Sequence, residues 1–239
     1  QYMRESEKAE NDLVRVLQSA KNRPSPIDGY FGAVYYIGPI FTAFRGTPEA
    51  SQFYSLLRQE IDERVRLGKG PITPDGEMGE EKYRLVTEGP PNWTSFRDFW
   101  KMFYDEGAVV VASTYSKVGG LYDFGFRHDA DNPLESLADY CLGCYTNLNL
   151  PSRIDMICKY IDEYQADGLL INSIKSCNSF SAGQLLILRE VEKRTGKPAA
   201  FIETDLVDPR YFSAANVKNR LESYFQMVKQ KRSALTGAH

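Results

Sequence analysis

Alternating strand and helix patterns predict a three-layer α/β domain with a four-stranded parallel sheet, flavodoxin-like or Rossmann-like, preceded by a helical segment. Two observations support this fold class. Four short segments are predicted to be strands, at 83–88, 108–112, 169–171 and 199–203, and the segments 108–112 and 169–171 are continuous apolar runs. Helical patterns separate consecutive segments, which is the arrangement of right-handed strand–helix–strand crossovers.

The segment before this domain is predicted to be helical. Residues 10–21 carry apolar side chains on one helical face, and Pro24 ends the pattern. A second helix begins with Thr47 as its cap and Pro48 in its first turn, and it ends at Gly68. The aromatic-rich stretch 30–44 between the two helices is compatible with either a strand or a helix.

A loop rich in proline and glycine, 68–80, marks the predicted domain boundary. Residues 1–80 are then a helical segment, either the end of an upstream domain or a linker region. Residues 81–239 are the α/β domain. Because the sequence opens at Gln1 and enters a helix almost at once, we expect an upstream part of the protein to precede it.

Capping boxes predict where three helices of the α/β domain begin. Each pairs a serine with an acidic residue or glutamine three positions later, so that the two side chains can bind backbone N–H groups. They begin at Ser95, Ser152 and Ser181. A long insertion, 113–149, lies between the second strand and the helix predicted from Ser152.

Composition excludes several classes of protein. Of the 239 residues, 42% are hydrophobic and 26% are charged, as in soluble globular proteins. The formal net charge is −3 and no basic stripe occurs, which argues against a nucleic-acid partner. No run approaches the roughly 18 apolar residues of a membrane helix. We therefore expect no membrane partner and a cytoplasmic location, where four cysteines favour metal or redox chemistry over disulfides.

Cys177 lies in the stretch that organises the predicted domain. It follows the buried strand 169–171 in a short polar loop and precedes the helix predicted from Ser181. Ligands of open α/β sheets bind at the carboxyl ends of the strands. A helix N-terminus at this point also favours a thiolate over a thiol. The alternative is a small buried residue in a tight loop, and the local pattern does not decide between the two.

The other cysteines do not complete a closed structural metal site. Cys141 and Cys144 form one C-x2-C pair, whereas paired-knuckle zinc sites need two such pairs. Cys158 falls on the apolar face of its predicted helix and is expected in the core. Three thiolates with an open position would suit an iron–sulfur cluster. A redox pair, or two small packed residues, are the alternatives for Cys141 and Cys144.

Several catalytic motifs are missing from the sequence. Neither G-x-G-x-x-G nor G-x-x-x-x-G-K-[ST] occurs, so any ATP chemistry belongs on another chain. The G-x-S-x-G turn of serine hydrolases is also absent. His128, in the insertion, is a candidate general acid or base. A solvated loop histidine is the alternative interpretation.

Longer strings resemble the 2-hydroxyacyl-CoA dehydratase and benzoyl-CoA reductase family. KSCNSFSAGQ contains Cys177, and PAAFIETDLVDPRYFS spans the last strand and the loop after it. RLVTEGPPNW, YSKVGGLYDFGFRHD and CYTNLNLPSR are most similar to the benzoyl-CoA reductases of this family. The resemblance covers nearly the whole chain and likens it to the C-terminal half or more of one polypeptide of such an enzyme.

The resemblance implies an ATP-dependent, ferredoxin-linked reductase that dearomatises benzoyl-CoA to a cyclohexadiene-carbonyl-CoA. In this family two homologous subunits each hold a [4Fe-4S] cluster by cysteines, and an acyl-CoA binds between them. Separate ATPase or activator subunits hold the ATP and take electrons from ferredoxin. Cys177 matches the C-terminal cluster ligand of the family. In the family pattern the other ligands lie in an upstream domain, which this sequence is expected to lack. Cys141 and Cys144 are therefore the alternative ligands within this chain.

Reduction of an aromatic ring also needs protons delivered away from bulk water. We therefore expect a lid of aromatic side chains over the sheet edge, formed by residues 90–94 and 115–129. Trp93, Tyr115 and Tyr122 are the candidate substrate-binding residues, because their rings can stack on a flat substrate. A core tryptophan is the alternative for Trp93. Two other functions stay open, a 2-hydroxyacyl-CoA dehydratase subunit and a non-catalytic structural partner subunit.

Overall fold

The computed structural model describes residues 1–29, 38, 44–73, 75–77, 80–117 and 124–236. In chain order its described helices are α1 (Tyr2–Gln18), α2 (Pro48–Arg66), α3 (Phe96–Tyr104), α4 (Pro133–Leu142), α5 (Leu150–Glu163), α6 (Asn178–Ser181), α7 (Gln184–Thr195) and α8 (Ala214–Thr236). Its described strands are β1 (Ile72–Thr73), β2 (Gly76–Glu77), β3 (Tyr83–Glu88), β4 (Ala108–Ser113), β5 (Gly168–Ile174) and β6 (Ala199–Thr204).

The chain divides into two compact units. The first contains Gln1–Glu80 and Ser116–Leu148, and the second contains Glu81–Tyr115 and Asn149–His239. The division after Glu80 falls where the proline- and glycine-rich loop was expected to end. Most of the insertion, however, belongs to the first unit, whereas the sequence pattern suggested that it lies inside the α/β domain. The interpretation of 1–80 as a linker or the end of an upstream domain stays a prediction.

Helices α1 and α2 form the core of the first unit. They pack against each other, and both bury one apolar stripe, which includes Leu13 and Ile61. Thr47 caps α2 as predicted, since its hydroxyl accepts a hydrogen bond from the Ala50 N–H at 3.3 Å. The loop after α2 contains a small antiparallel pair, β1 with β2, which the sequence does not reveal because each strand has only two residues.

The second unit has the predicted four-stranded parallel sheet, in the order β4-β3-β5-β6. The helices cover it as three layers, with α5 packed against α7 and α3 against α8. All seven residues of β5 are buried, as the continuous apolar run predicts for a strand covered on both faces. The order places the second strand on one side of the first and the third strand on the other. This is the start of the flavodoxin-like order rather than the Rossmann order.

The helix predicted from Ser181 is interrupted. A four-residue helix, α6, follows Cys177, and the main helix α7 begins only at Gln184. Gly183 separates them with a left-handed backbone (φ 81°) and serves as the cap of α7. The capping box of Ser181 with Gln184 is therefore wrong. The Gln184 side chain binds Glu88 instead of the helix start.

Two other predicted caps also differ. Helix α3 does begin after Ser95, but the Ser95 side chain makes no capping hydrogen bond. Helix α5 begins two residues earlier than predicted, at Leu150. The Asn149 side chain accepts from the Ser152 N–H at 2.9 Å and caps that helix. Asparagine is as good a cap as serine, and the following proline at 151 suits the first turn.

Candidate functional site

The strand order singles out one edge of the sheet as a ligand site. Chain connections run to opposite sides from β3 and from β5, so their carboxyl ends flank the point where the order reverses. The loop after β3 begins at Gly89, and the loop after β5 carries Cys177. Two of the sequence-predicted loops of the site, 90–94 and the Cys177 loop, thus lie at this edge.

Backbone hydrogen bonds hold the Cys177 loop in a tight turn. The Cys177 N–H donates to the Ile174 carbonyl at 3.1 Å, and the Cys177 carbonyl accepts from Ser181 at 3.0 Å. The thiol is half-buried and free. The Cys177 side chain is therefore neither fully buried nor fully exposed. Partial burial is compatible with a metal ligand and with a packed loop residue.

Asp205, which follows β6, fixes the neighbouring residue of this loop. Its carboxylate accepts from the Ser176 N–H at 3.1 Å and from the N–H groups of Val207 and Asp208 at 3.1 and 3.0 Å. Hydrogen bonds from the Ser176 side chain and then from Val207 lower the pKa of this carboxyl group. Asp205 thus ties the Cys177 loop to the loop after the edge strand.

The loop after β3 crosses the end of β5. The Asn172 amide of β5 donates to the Pro90 carbonyl at 2.8 Å, and the Trp93 N–H donates to the Leu206 carbonyl beyond β6 at 3.1 Å. Gly89 permits this crossing, because its φ is 106° and an added Cβ would lie 2.1 Å from the Asn172 carbonyl oxygen. The crossing loop and the Cys177 loop therefore share one anchor, the segment after β6.

The structure brings together two of the three predicted substrate-binding aromatics. The rings of Trp93 and Tyr115 lie 6.3 Å apart in an edge-on arrangement, and Trp93 also contacts Phe96 at 5.5 Å. Trp93 is 45% exposed, so it is not the core tryptophan of the alternative interpretation. Tyr115 is half-buried, and burial raises the pKa of its phenol. Tyr122 lies outside the described residues.

Four buried polar residues near the same edge have no counterpart among the sequence predictions. They are Thr87 and Glu88 at the end of β3, Asn92 in the crossing loop and Gln184 at the start of α7, all at most 3% exposed. The Gln184 amide donates to the Glu88 carboxylate at 2.5 Å. The Thr87 hydroxyl, the Gln184 carbonyl oxygen and both amide atoms of Asn92 have no hydrogen-bond partner in the described part of the chain.

Unpaired buried polar atoms are rare in folded proteins, so these residues are themselves candidates for function. The pattern around Gln184 is visible in the sequence, where it indicates a helix cap. No pattern in the sequence marks Asn92.

The remaining cysteines fall into two groups. Cys141 and Cys144 belong to the first unit, at the end of α4, where Cys141 is exposed and the Cys144 thiol lies 3.3 Å from the Thr146 hydroxyl. Cys158 lies on α5 and is half-buried, not fully buried as expected. Burial raises the pKa of the Cys158 thiol, which argues against a reactive thiolate.

His128 is buried in the first unit. It is 1% exposed, so it is not the solvated histidine of the alternative interpretation. The Glu10 carboxylate accepts from the His128 N–H at 2.9 Å and also contacts the ring Nδ1. Arg45 Nη2 lies 3.3 Å from Nε2. Arginine can only donate, so Nε2 accepts and Nδ1–H donates to Glu10. The catalytic role of His128 stays a prediction, and these contacts give the residue a structural role as well.

The described residues do not by themselves fit an iron–sulfur cluster. They contain no group of three or more histidine, cysteine or acidic side chains that could hold a metal ion. A cluster needs three or four ligands, and this edge of the sheet offers only the Cys177 thiol within the described ranges. None of the described helices is both long and apolar enough to cross a membrane.

Comparison with known proteins places the sequence in one family. The chain is 78% identical over 98% of its length to the B subunit of benzoyl-CoA reductase from Thauera aromatica, and covers 54% of that protein. It is 26% identical to the (R)-phenyllactyl-CoA dehydratase alpha subunit of Clostridium sporogenes, over 98% of this chain and 54% of that one. It is 28% identical to the (R)-2-hydroxyisocaproyl-CoA dehydratase alpha subunit of Clostridioides difficile, over 91% and 50% respectively.

The chain thus spans about half the length of the curated relatives it matches. Residues 1–228 match the family described as the D-component of 2-hydroxyglutaryl-CoA dehydratase. Because the match covers nearly the whole chain, this protein belongs to the 2-hydroxyglutaryl-CoA dehydratase D-component family.

Proposed function

We propose that the chain is part of the B subunit of an ATP-dependent, ferredoxin-linked benzoyl-CoA reductase. The enzyme dearomatises benzoyl-CoA to a cyclohexadiene-carbonyl-CoA in the cytoplasm. One observation carries the proposal. Identity to the B subunit of a reductase is 78%, whereas identity to the dehydratase alpha subunits is 24–28%. This difference favours the reductase over the dehydratase alternative.

The sheet edge has features that suit a flat aromatic substrate. Trp93 is partly exposed beside Tyr115, so part of its ring is accessible to a flat substrate. The crossing loop covers the carboxyl end of β5 and limits the access of water there. Trp93 and Tyr115 are the residues that we propose orient the substrate ring. Tyr122 is proposed as a third contact from the sequence alone.

We further propose that Cys177 is one ligand of a [4Fe-4S] cluster in the complete protein. The described residues at this edge supply only this one thiol, so the other ligands are residues that the structure does not place there. Cys141 and Cys144 are weaker candidates. A cluster held there would supply single electrons at low potential. The proposed partners are a second, homologous subunit, ATPase or activator subunits that hold ATP, and ferredoxin as electron donor.

Product analysis on the anaerobically purified complex tests the proposal. We expect benzoyl-CoA to be converted to a cyclohexadiene-carbonyl-CoA with ATP hydrolysis, and a 2-hydroxyacyl-CoA to be left unchanged. Conversion of the 2-hydroxyacyl-CoA to an enoyl-CoA instead would favour the dehydratase alternative. Turnover that is insensitive to both Trp93→Leu and Cys177→Ser would favour a structural, non-catalytic partner.

A further inference from the structure

A small cavity lies at the carboxyl end of β6, beside the start of α8. Its volume is about 180 Å³. The buried side chains Ile202 and Val217 contribute to its lining. The polar residues around it are Lys175, Glu203, Tyr211, Ser213, Asn216 and Arg220. Lys175 is only two residues before Cys177, so the cavity belongs to the same edge of the sheet as the candidate site.

Two cations border this cavity and are held in place. The Lys175 backbone N–H donates to the Thr204 carbonyl at 3.2 Å, and its ammonium lies 4.9 Å from the centre of the Tyr211 ring. Arg220 donates one hydrogen bond to the Phe201 carbonyl at 3.0 Å. Neither cation forms a salt bridge within the described part of the chain. An arginine has five N–H donors, so further donors can serve an anionic ligand.

The other polar groups narrow the chemistry of that ligand. Tyr211 is 48% exposed and offers a ring for stacking. Glu203 also borders the cavity, and a carboxylate repels a bare phosphate but accepts hydrogen bonds from hydroxyl or amine groups. A ligand that carries phosphates, a base and a ribose offers a partner to the cations, to the aromatic ring and to the carboxylate.

We propose that this cavity binds the adenosine-phosphate end of an acyl-CoA. The inference rests on the proposed function, because an acyl-CoA substrate would place its thioester near the Cys177 loop. Its pantetheine arm then separates the thioester from the phosphates along the same edge of the sheet. Lys175 and Arg220 bind phosphate oxygens, Tyr211 stacks on the adenine, and Glu203 accepts from the ribose or the base.

A larger groove of the second unit is the less suitable site. It has a volume of about 750 Å³ and contains more cations, including Arg189 and Lys197. Its lining includes Pro198, however, which directly precedes the first residue of β6, so the groove lies at the amino end of that strand. That is the edge opposite Cys177, and ligands of parallel sheets bind at the carboxyl edge. Its cations therefore provide matched controls.

Kinetics on the complete enzyme complex test the inference. The substrates are benzoyl-CoA and S-benzoyl-pantetheine, which lacks the nucleotide. We expect Lys175→Ala and Arg220→Ala each to raise KM for benzoyl-CoA roughly 10- to 100-fold relative to KM for benzoyl-pantetheine, the range for a hydrogen bond to a charged group. Arg189→Ala and Lys197→Ala should leave that ratio unchanged, and Lys175→Arg should restore most of it.

Direct binding separates this inference from the proposed function. Adenosine 3′,5′-bisphosphate is the probe, titrated into the same complex by calorimetry. Weaker binding in Lys175→Ala and Arg220→Ala, but not in Arg189→Ala, supports the cavity even if the complex reduces neither thioester. An unchanged Kd in all variants, or equal KM increases for both thioesters, would overturn it.

Discussion

The Gln184 amide donates a 2.5 Å hydrogen bond to the Glu88 carboxylate, and both side chains are at most 1% exposed. This bond joins the first residue of α7 to the last residue of β3. Helix α7 follows the Cys177 loop, so the contact fixes the position at which that loop ends. Loss of the donor to a buried hydrogen-bond acceptor destabilises the folded state.

Gln184→Ala removes a donor from a buried carboxylate. We expect the free energy of unfolding to fall by about 1–3 kcal/mol, the usual cost of an unmet buried partner. Leu186→Ala in the same turn is the control, because Leu186 is 53% exposed and its truncation should cost less than about 0.5 kcal/mol. Urea denaturation of both variants measures the difference. Equal stabilities would mean that Glu88 does not depend on Gln184.

Gly89→Ala should displace the crossing loop. The new Cβ would lie 2.1 Å from the Asn172 carbonyl oxygen, at a φ of 106° that side chains rarely adopt. Backbone strain alone costs on the order of 1–3 kcal/mol, and the contact with a strand backbone adds to it. Gly196→Ala is the matched control, since its φ is 66° and no atom lies within 4 Å of the added Cβ.

We expect the control to lose only about 1 kcal/mol, the ordinary helix-end cost. The melting temperature compares the two variants. Similar losses in both would contradict the close approach of Gly89 to β5.

The sequence predicts the sheet well because each strand has a local signature. The run AVVVA and the strand that starts at Gly168 are largely apolar, and burial on both faces favours that composition. The position of Cys177 after the third strand follows from the same pattern.

The buried polar pair of Glu88 and Gln184 could not be predicted in this way. Gln184 has the spacing of a helix cap, and its partner Glu88 is 96 residues away. Glu88 itself ends its strand with a charged residue, which ordinarily indicates solvent exposure. Similarly, the contact of His128 with Glu10 spans 118 residues. Long-range polar pairs of this kind have no local signature in a single sequence.

Tyr224→Phe should leave stability unchanged or raise it by up to about 1 kcal/mol at neutral pH. The Tyr224 hydroxyl is buried and has no hydrogen-bond partner among the described residues, so its removal costs no bond. Tyr2→Phe, at a side chain that is 72% exposed, is the control. Chemical denaturation at neutral pH gives the comparison. A clear loss of stability would indicate a partner for the hydroxyl.

Tyr224→Phe should also change how the free energy of unfolding depends on pH above about pH 9. Burial, first, and then the nearby carboxylates of Asp167 and Glu192 raise the pKa of Tyr224 well above its usual value. Above about pH 10 the unfolded chain releases the phenol proton while the folded chain keeps it, so stability falls as pH rises. The phenylalanine variant lacks this proton, so its free energy of unfolding should fall less steeply between about pH 9 and about pH 11. Parallel curves would contradict the raised pKa.

His128→Ala should destabilise the protein, whether or not the histidine is catalytic. It removes the contacts with Glu10 and Arg45 and leaves a buried carboxylate short of a donor, at a cost of about 1.5–3 kcal/mol. Arg127→Ala is the control, because its bond to the Asn11 side chain is exposed. Turnover is measured per folded complex. A loss of about 10²–10⁴-fold beyond the loss of folded protein would support general acid catalysis. Unchanged turnover of the folded fraction would leave His128 a structural residue.

Cys177→Ser tests the proposed cluster ligand most directly. In the complete complex the serine hydroxyl is a harder and poorer donor than a thiolate, so we expect the cluster to become labile or to lose iron. The fold should survive, because the loop is held by backbone bonds and by Asp205 rather than by the thiol.

Cys158→Ser is the control, since Cys158 is half-buried on α5 and its pKa is raised by burial. We expect this variant to keep its iron and to lose at most about 1–3 kcal/mol of stability. The measurements are iron and sulfide per complex, beside the melting temperature. Iron retained in Cys177→Ser would show that the thiol is a loop residue and not a ligand. Iron lost at an unchanged melting temperature would assign it to the cluster.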